Sequence, residues 1–156
     1  MNATQRDSAG PAEEVWELPL SDATIDGIRT GDSVSFRRRM EPDLIEAYAN
    51  LVLDHSPLHV DAEYAAQTPL GRRVVHGLLL TSHFSAVVGM LLPGRRALLS
   101  SVEAEYLIAV LAGDEVTFSA RVDHVDVERA MVRLRCLVIR GHEVCTRGVA
   151  WVEVRR

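Results

Sequence analysis

The pattern of apolar and polar positions divides the chain near Gly94 into a mostly helical first part and a second part that reads as strand. After a turn at Gly31-Asp32, positions 33–40 alternate and set Val34, Phe36 and Arg38 on one face of a strand. Glu41-Pro42-Asp43 then signals a helix start, with proline at the first helical position and acids in the first turn. Leu44, Ile45, Tyr48, Ala49 and Val52 give that helix an apolar face running up to Asp54. Pro57 lacks an N–H and biases Ser56 toward extended geometry, so Leu53 is expected to be the last helical residue. Asp61 is a candidate N-cap for a short helix over 62–67, and 68–71 reads as a loop. A helix over about 77–92 carries Leu, Phe, Val or Met on nearly every face and is expected to be buried on most sides. Gly77, Thr81, Ser85 and Gly89 form one small-residue stripe along it, where another backbone or a thin ligand could lie close.

Beyond Pro93-Gly94 four strands are expected, over 98–110, 115–127, 131–140 and 144–152, joined by short turns such as Gly113-Asp114 and Gly141-His142. Long strands with short turns imply a strongly bent antiparallel sheet, and the one long apolar helix has only that sheet to pack on. An α+β domain in which a bent sheet wraps a central helix is the hotdog arrangement. Residues 1–14 are polar and aperiodic and are expected to form a mobile tail, leaving 15–156 as a single domain. Residues 15–18 read as a short edge strand ending at Pro19. Such a domain leaves one sheet edge open and its helix partly covered, which predicts a homodimer.

Composition narrows the function classes. A chain of 156 residues with 47% hydrophobic and 25% charged residues suits one soluble globular domain. A formal net charge of −5 argues against a nucleic-acid partner. Arg37-Arg38-Arg39, Arg72-Arg73 and Arg95-Arg96 could receive a small anion, although solvated surface arginine is the simpler reading. No apolar run reaches the roughly 18–20 residues of a membrane span, and the N-terminus lacks the basic-then-apolar pattern of a signal peptide, so neither a membrane partner nor export is expected. Cys136 and Cys145 have no metal-type spacing and read as reduced core thiols of a cytoplasmic protein.

The chemistry concentrates in Asp54-His55-Ser56-Pro57-Leu58-His59. A carboxylate and an imidazole brought together by a bend can move protons near neutral pH. Downstream, His76-Gly77-Leu78-Leu79-Leu80 opens the apolar helix. An acid/base pair facing a glycine-started helix N-terminus suits attack on a polarised carbonyl compound.

These residues resemble a known family, the MaoC-like or (R)-specific enoyl-CoA hydratases and dehydratases of the hotdog fold, from about Gly31 to Val152. Asp54-x-Ser56-Pro57-Leu58-His59-x-Asp61 is similar to the family's D-x-N-P-x-H-x-D, and His76-Gly77-Leu78-Leu79 to its H-G-M-L. Leu92-Pro93-Gly94 and Gly113-Asp114-Glu115-Val116 fall where the family has L-P-G and G-D-x-V. The resemblance implies a thioester substrate on CoA or an acyl carrier protein, with water added to or removed from its 2,3 position, and no cofactor. It implies that Asp54 and His59 hold the water and move its protons, that the Gly77 N–H receives the thioester oxygen, and that Ser85 orients Asp54. Ser56 stands at the family's asparagine, and His76 is expected to hold the loop ahead of Gly77. Two departures stand out: Ser56 is shorter than asparagine, and the Ser-Gly that usually precedes the aspartate is Val52-Leu53 here.

Three rival readings use the same residues. His55 and His59 with Asp54 or Asp61 could ligate a metal, but Pro57 breaks the helix that this spacing needs, so no metal is expected. A hotdog thioesterase would share the fold and ligand; the Asp54–His59 pair favours the hydratase. A non-catalytic subunit binding an acyl carrier is the third.

Overall fold

The computed structural model describes residues 17–156. It contains β1 (Ser33–Arg39), α1 (Pro42–Val52), α2 (Pro57–Val60), α3 (Ala62–Ala66), α4 (Gly77–Ala86), β2 (Ala97–Tyr106), β3 (Glu115–Asp126), β4 (Met131–Arg140) and β5 (Glu143–Val154). The strands form one antiparallel sheet in the order β1-β3-β4-β5-β2. The chain therefore lays β1 on one edge, crosses the sheet through α1 to α4, and lays β2 on the other. This is the expected hotdog, with two open edges rather than one. The expected tail and positions 15 and 16 of the first strand lie outside the described residues, while Glu17 and Leu18 are not in a strand.

Alternation decides which residues meet α4. Val116, Phe118, Ala120 and Val122 of β3, Val132, Leu134, Cys136 and Val138 of β4, and Ala150 and Val152 of β5 are all buried. Against them α4 buries Leu79, Leu80 and Phe84, and a π-helical turn over Val87–Leu91 adds Val87 and Val88. The helix expected over 77–92 thus runs as α-helix only to Ala86. Its burial is also one-sided: Leu78 is 68% exposed, and Ser82 and Ser85 face outward, because one sheet covers one face. Among the described residues no helix is long and apolar enough to cross a membrane.

His83 is a polar member of this core. Its Nδ1–H donates to Leu79 O at 2.7 Å, Nε2 lies 3.1 Å from Arg38 Nη1, and its ring stacks on Phe118 at 4.5 Å. Burial pushes its pKa down, opposed by the Leu79 hydrogen bond and aided by the Arg38 charge, so the ring is neutral and accepts from the guanidinium.

One expectation changes in the second part. β2 ends at Tyr106 instead of continuing to Val110, because the chain turns away to pair elsewhere: Val75 N–H donates to Val110 O at 2.8 Å, and Val74 bridges Leu111. Asp114 secures this detour, accepting from Leu111 N at 3.0 Å, Arg140 at 2.8 Å and Arg72 at 3.0 Å. Burial alone would raise its pKa, but these hydrogen bonds outweigh that and hold the carboxyl below its ordinary range. Arg73 and Arg96 are likewise paired, with Glu46 and Asp22, so these arginines are structural ties rather than an anion site. Cys136 and Cys145 are free and buried, as expected, and burial pushes the Cys136 thiol up to about 12. Gly94 has φ +90°, and a Cβ there would run into Ser21 O, so the backbone pairing of Gly94 with Ser21-Asp22 requires glycine.

The end of α1 departs from expectation. The helix stops at Val52, and Leu53 takes the left-handed conformation, φ 63° and ψ 25°, as its C-cap. This is the position glycine favours, and it is where the resembling family has glycine. An L-residue held there costs roughly 1–2 kcal/mol, and with Leu53 81% exposed no burial offsets it. Leu53→Gly is therefore expected to stabilise the fold by about 0.5–1 kcal/mol once the greater chain entropy of glycine is deducted. Urea unfolding midpoints of the two proteins check this; an unchanged or lower midpoint would contradict it.

Candidate active site

The left-handed turn at Leu53 ends α1 and sends the chain into an Asx turn, in which Ser56 N–H donates to Asp54 Oδ1 at 3.2 Å. Pro57 does not break helix here. It occupies the first position of α2, where a missing N–H is harmless, and His59 lies within that turn of helix. His55 remains exposed in the loop before it, so His55 and His59 share no helix face. Asp61 caps α3, its Oδ1 accepting from Glu63 N at 2.9 Å and Tyr64 N at 3.0 Å. Asp61, one of the two carboxylates considered with His55 and His59 for a metal, thus serves as a helix cap.

His59 is fixed from the strand-like segment before α4. Its Nδ1–H donates to Val74 O at 2.7 Å, while Val74 N–H donates to Leu58 O at 3.0 Å. Since a carbonyl can only accept, Nδ1 carries the ring proton and neutral His59 keeps a lone pair on Nε2. The same segment ends in His76, whose ring stacks on His59 with centroids 3.8 Å apart. Asp54, His59 and His76 each present one atom within 4.8 Å of the others. That span could suit a cation, but His59 Nδ1 and His76 Nε2 are engaged with the carbonyls of Val74 and Asp54. Each ring keeps its second nitrogen, His59 Nε2 and His76 Nδ1, free of these carbonyls.

Gly77 follows directly as the first residue of α4. Its N–H has no acceptor among the described residues, as expected of a helix start, and the helix dipole favours negative charge there. A Cβ on Gly77 would lie 3.0 Å from the Tyr106 ring, closer than ordinary contact, so any side chain here would have to push that ring aside. Beside it opens a cleft of about 500 Å³ lined by Tyr48, Leu78, Thr81, Ser82, Val102, Ala104 and Tyr106. The Tyr106 and Thr81 hydroxyls are hydrogen-bonded at 3.1 Å. Tyr48 joins the cleft to the cluster of Asp54, His59 and His76, packing edge-on against His76 at 5.2 Å. Burial, together with Tyr106 and the Asp54 charge, pushes the Tyr48 phenol's pKa up.

The structure therefore gathers Asp54, His59, His76 and Gly77, with Ser56 beside Asp54. Ser85 is placed apart: it is exposed farther along α4 and makes no hydrogen bond to Asp54. Of the small-residue stripe, only Gly77 and Thr81 border the cleft region. Tyr48 and Tyr106 were not legible as site residues. Tyr48 reads as part of an apolar helix face, and Tyr106 as one more residue of a strand.

Known proteins are similar in sequence and fold. The family model for a MaoC-like domain matches residues 27–139. A 3-hydroxybutyryl-CoA dehydratase of Methylorubrum extorquens is 31% identical over 130 residues, 83% of each chain. An (R)-specific enoyl-CoA hydratase of Aeromonas caviae is 30% identical over 128 residues, 81% of this chain and 96% of that one. The solved structure of an (R)-hydratase from A. caviae superposes with a TM-score of 0.80 over 81% of this chain and 97% of that chain, at 30% identity. With the motifs, the fold and these relatives in agreement, the chain belongs to the MaoC-like domain family.

Proposed function

We propose that the protein is an (R)-specific enoyl-thioester hydratase, equally a 3-hydroxyacyl-thioester dehydratase, acting on acyl groups carried by CoA or an acyl carrier protein. The observation that carries this reading is the placement of Asp54 and His59 together beside the open N-terminus of α4 and an apolar cleft. A water held between the carboxylate and Nε2 of His59 gives up a proton as its oxygen bonds to C3. The electrons of the double bond move onto the thioester oxygen, where the Gly77 N–H and the helix dipole receive the charge. C2 then takes up the proton that the Asp54–His59 pair received and the carbonyl re-forms; dehydration is the reverse. The acyl chain lies in the cleft beside Tyr48, Leu78, Val102 and Tyr106. The free, buried cysteines suit a cytoplasmic setting. Relatives named for both CoA and acyl-carrier-protein substrates leave either carrier compatible with this chemistry.

The active form in this proposal is a homodimer. β2 is an edge strand exposed along most of its length although it carries Leu98, Leu99, Val102 and Tyr106, and Leu78 of α4 is exposed on the same side as the cleft. Unpaired strand edges bearing apolar side chains favour pairing with a second copy. Sedimentation at micromolar concentration is expected to show a dimer; a stable monomer would contradict this part of the proposal.

A shared water needs both groups at once, so Asp54→Asn and His59→Gln should each lower kcat/KM on an enoyl thioester by about 10²-fold or more. The double variant should be scarcely worse than either single one, because residues acting as a unit are strongly non-additive. His55→Gln, altering an exposed neighbour, should keep most of the activity. With thermal melts as a folding control, a dead His55→Gln beside a healthy His59→Gln would mean that the wrong histidine has been assigned.

A further inference from the structure

His76 occupies the N-cap of α4, a position that ordinarily holds a short polar residue bonded to the helix's first N–H groups, yet its side chain makes no capping hydrogen bond. It is spent on the acid/base pair instead. The ring is only 3% exposed. Its Nε2 lies 3.0 Å from the main-chain oxygen of Asp54, and since a carbonyl only accepts, Nε2 is the protonated nitrogen. One face of the ring lies on His59, inclined by 25°. Tyr48 closes another side edge-on, and Asp54 Oδ2 stands 3.9 Å from Nε2. These three, Asp54, His59 and Tyr48, are the titratable groups shown in contact with it. Nδ1 is buried and has no hydrogen-bond partner. A ring enclosed in this way has no route to solvent and no free face for substrate.

Resting on the hydratase reading above, we infer that His76 is a positioning residue of the reaction. Its N–H tethers the Asp54 backbone, and its face backs the His59 ring, so that one imidazole sets the spacing of carboxylate and base. Asp54 otherwise lies in an exposed loop beyond a strained helix end, with only the Ser56 N–H to steady its side chain. His59 is held by Val74, two residues before His76, and the Asx turn and the first turn of α2 link it to Asp54; His76 adds the one side chain that meets both Asp54 and His59.

Two variants separate the contributions. His76→Gln keeps an N–H donor and loses the stacked ring; His76→Phe keeps the ring and loses the donor. Each is expected to lower kcat by about 10- to 100-fold, the usual effect of small misplacements of reacting groups, while KM changes by no more than about threefold. On an Asp54→Asn background neither should lower the rate further by more than about twofold, because there is no longer a pair to align. A purely structural histidine would instead lower the melting temperature and cost the same factor in both backgrounds, which would overturn the inference. So would wild-type kcat in both His76 variants. A readout independent of turnover comes from long-range ¹H–¹⁵N spectra of the wild-type protein. The proton is expected on Nε2 of His76 and on Nδ1 of His59, and finding His76 protonated on Nδ1 alone would refute the tether. Should Asp54→Asn keep the wild-type rate, the hydratase reading falls, and the spectra still decide whether His76 holds Asp54.

Discussion

The short backbone ladder between Val74-Val75 and Val110-Leu111 is the constraint on which the site depends. Val75 N–H donates to Val110 O, Ala112 N–H donates to Arg73 O, and Val74 also exchanges a hydrogen bond with Leu58. Three pieces of chain distant in sequence, α2, the approach to α4 and the β2–β3 connection, are thereby locked edge to edge. Val74 offers its carbonyl to His59 from inside this ladder, and His76 and Gly77 follow it directly into α4. Asp114 and its two arginines hold the far side of the same ladder. The glycine-aspartate pair that looks like a simple hairpin turn is thus a support for the site rather than a loop end.

A second constraint is the single sheet. It buries one face of α4 and leaves the other, with Leu78, Thr81 and Ser82, open beside the cleft. The same one-sidedness that leaves apolar surface for a second copy also leaves room for an acyl chain next to a helix N-terminus. Fold and site are consequences of one packing arrangement.

Much of this was legible in the residues. β1, β4 and the Asp61-capped α3 follow from alternation and capping, which are local signals, and Asp54, His59 and Gly77 stand out because proline and glycine punctuate the chain around them. What escaped were effects of distant partners. β2 stops early because Val110 is claimed by Val75, and nothing local to 98–110 announces that. Pro57 looked like a helix breaker but starts α2, since its effect depends on which side of it the helix lies. Tyr106 gains its meaning only from Gly77, and His76 only from His59 and Asp54. Leu53 was legible as a departure from the resembling family, but its cost appears only with the positive φ.

The two departures next to Asp54 act on the frame rather than the chemistry. Ser56 contributes its main-chain N–H to Asp54, which any residue there could do, and Leu53 strains a helix end without touching the acid/base pair. Asp54 and His59, the groups proposed to move protons, are both present, so turnover itself is the decisive observable. The direct measurement is to incubate the protein with crotonyl-CoA and longer enoyl-CoAs, follow the loss of the conjugated thioester absorbance, and determine the configuration of the product. The account predicts hydration to the (R)-3-hydroxyacyl thioester; release of free CoA without hydration, or no reaction at any chain length, would contradict it.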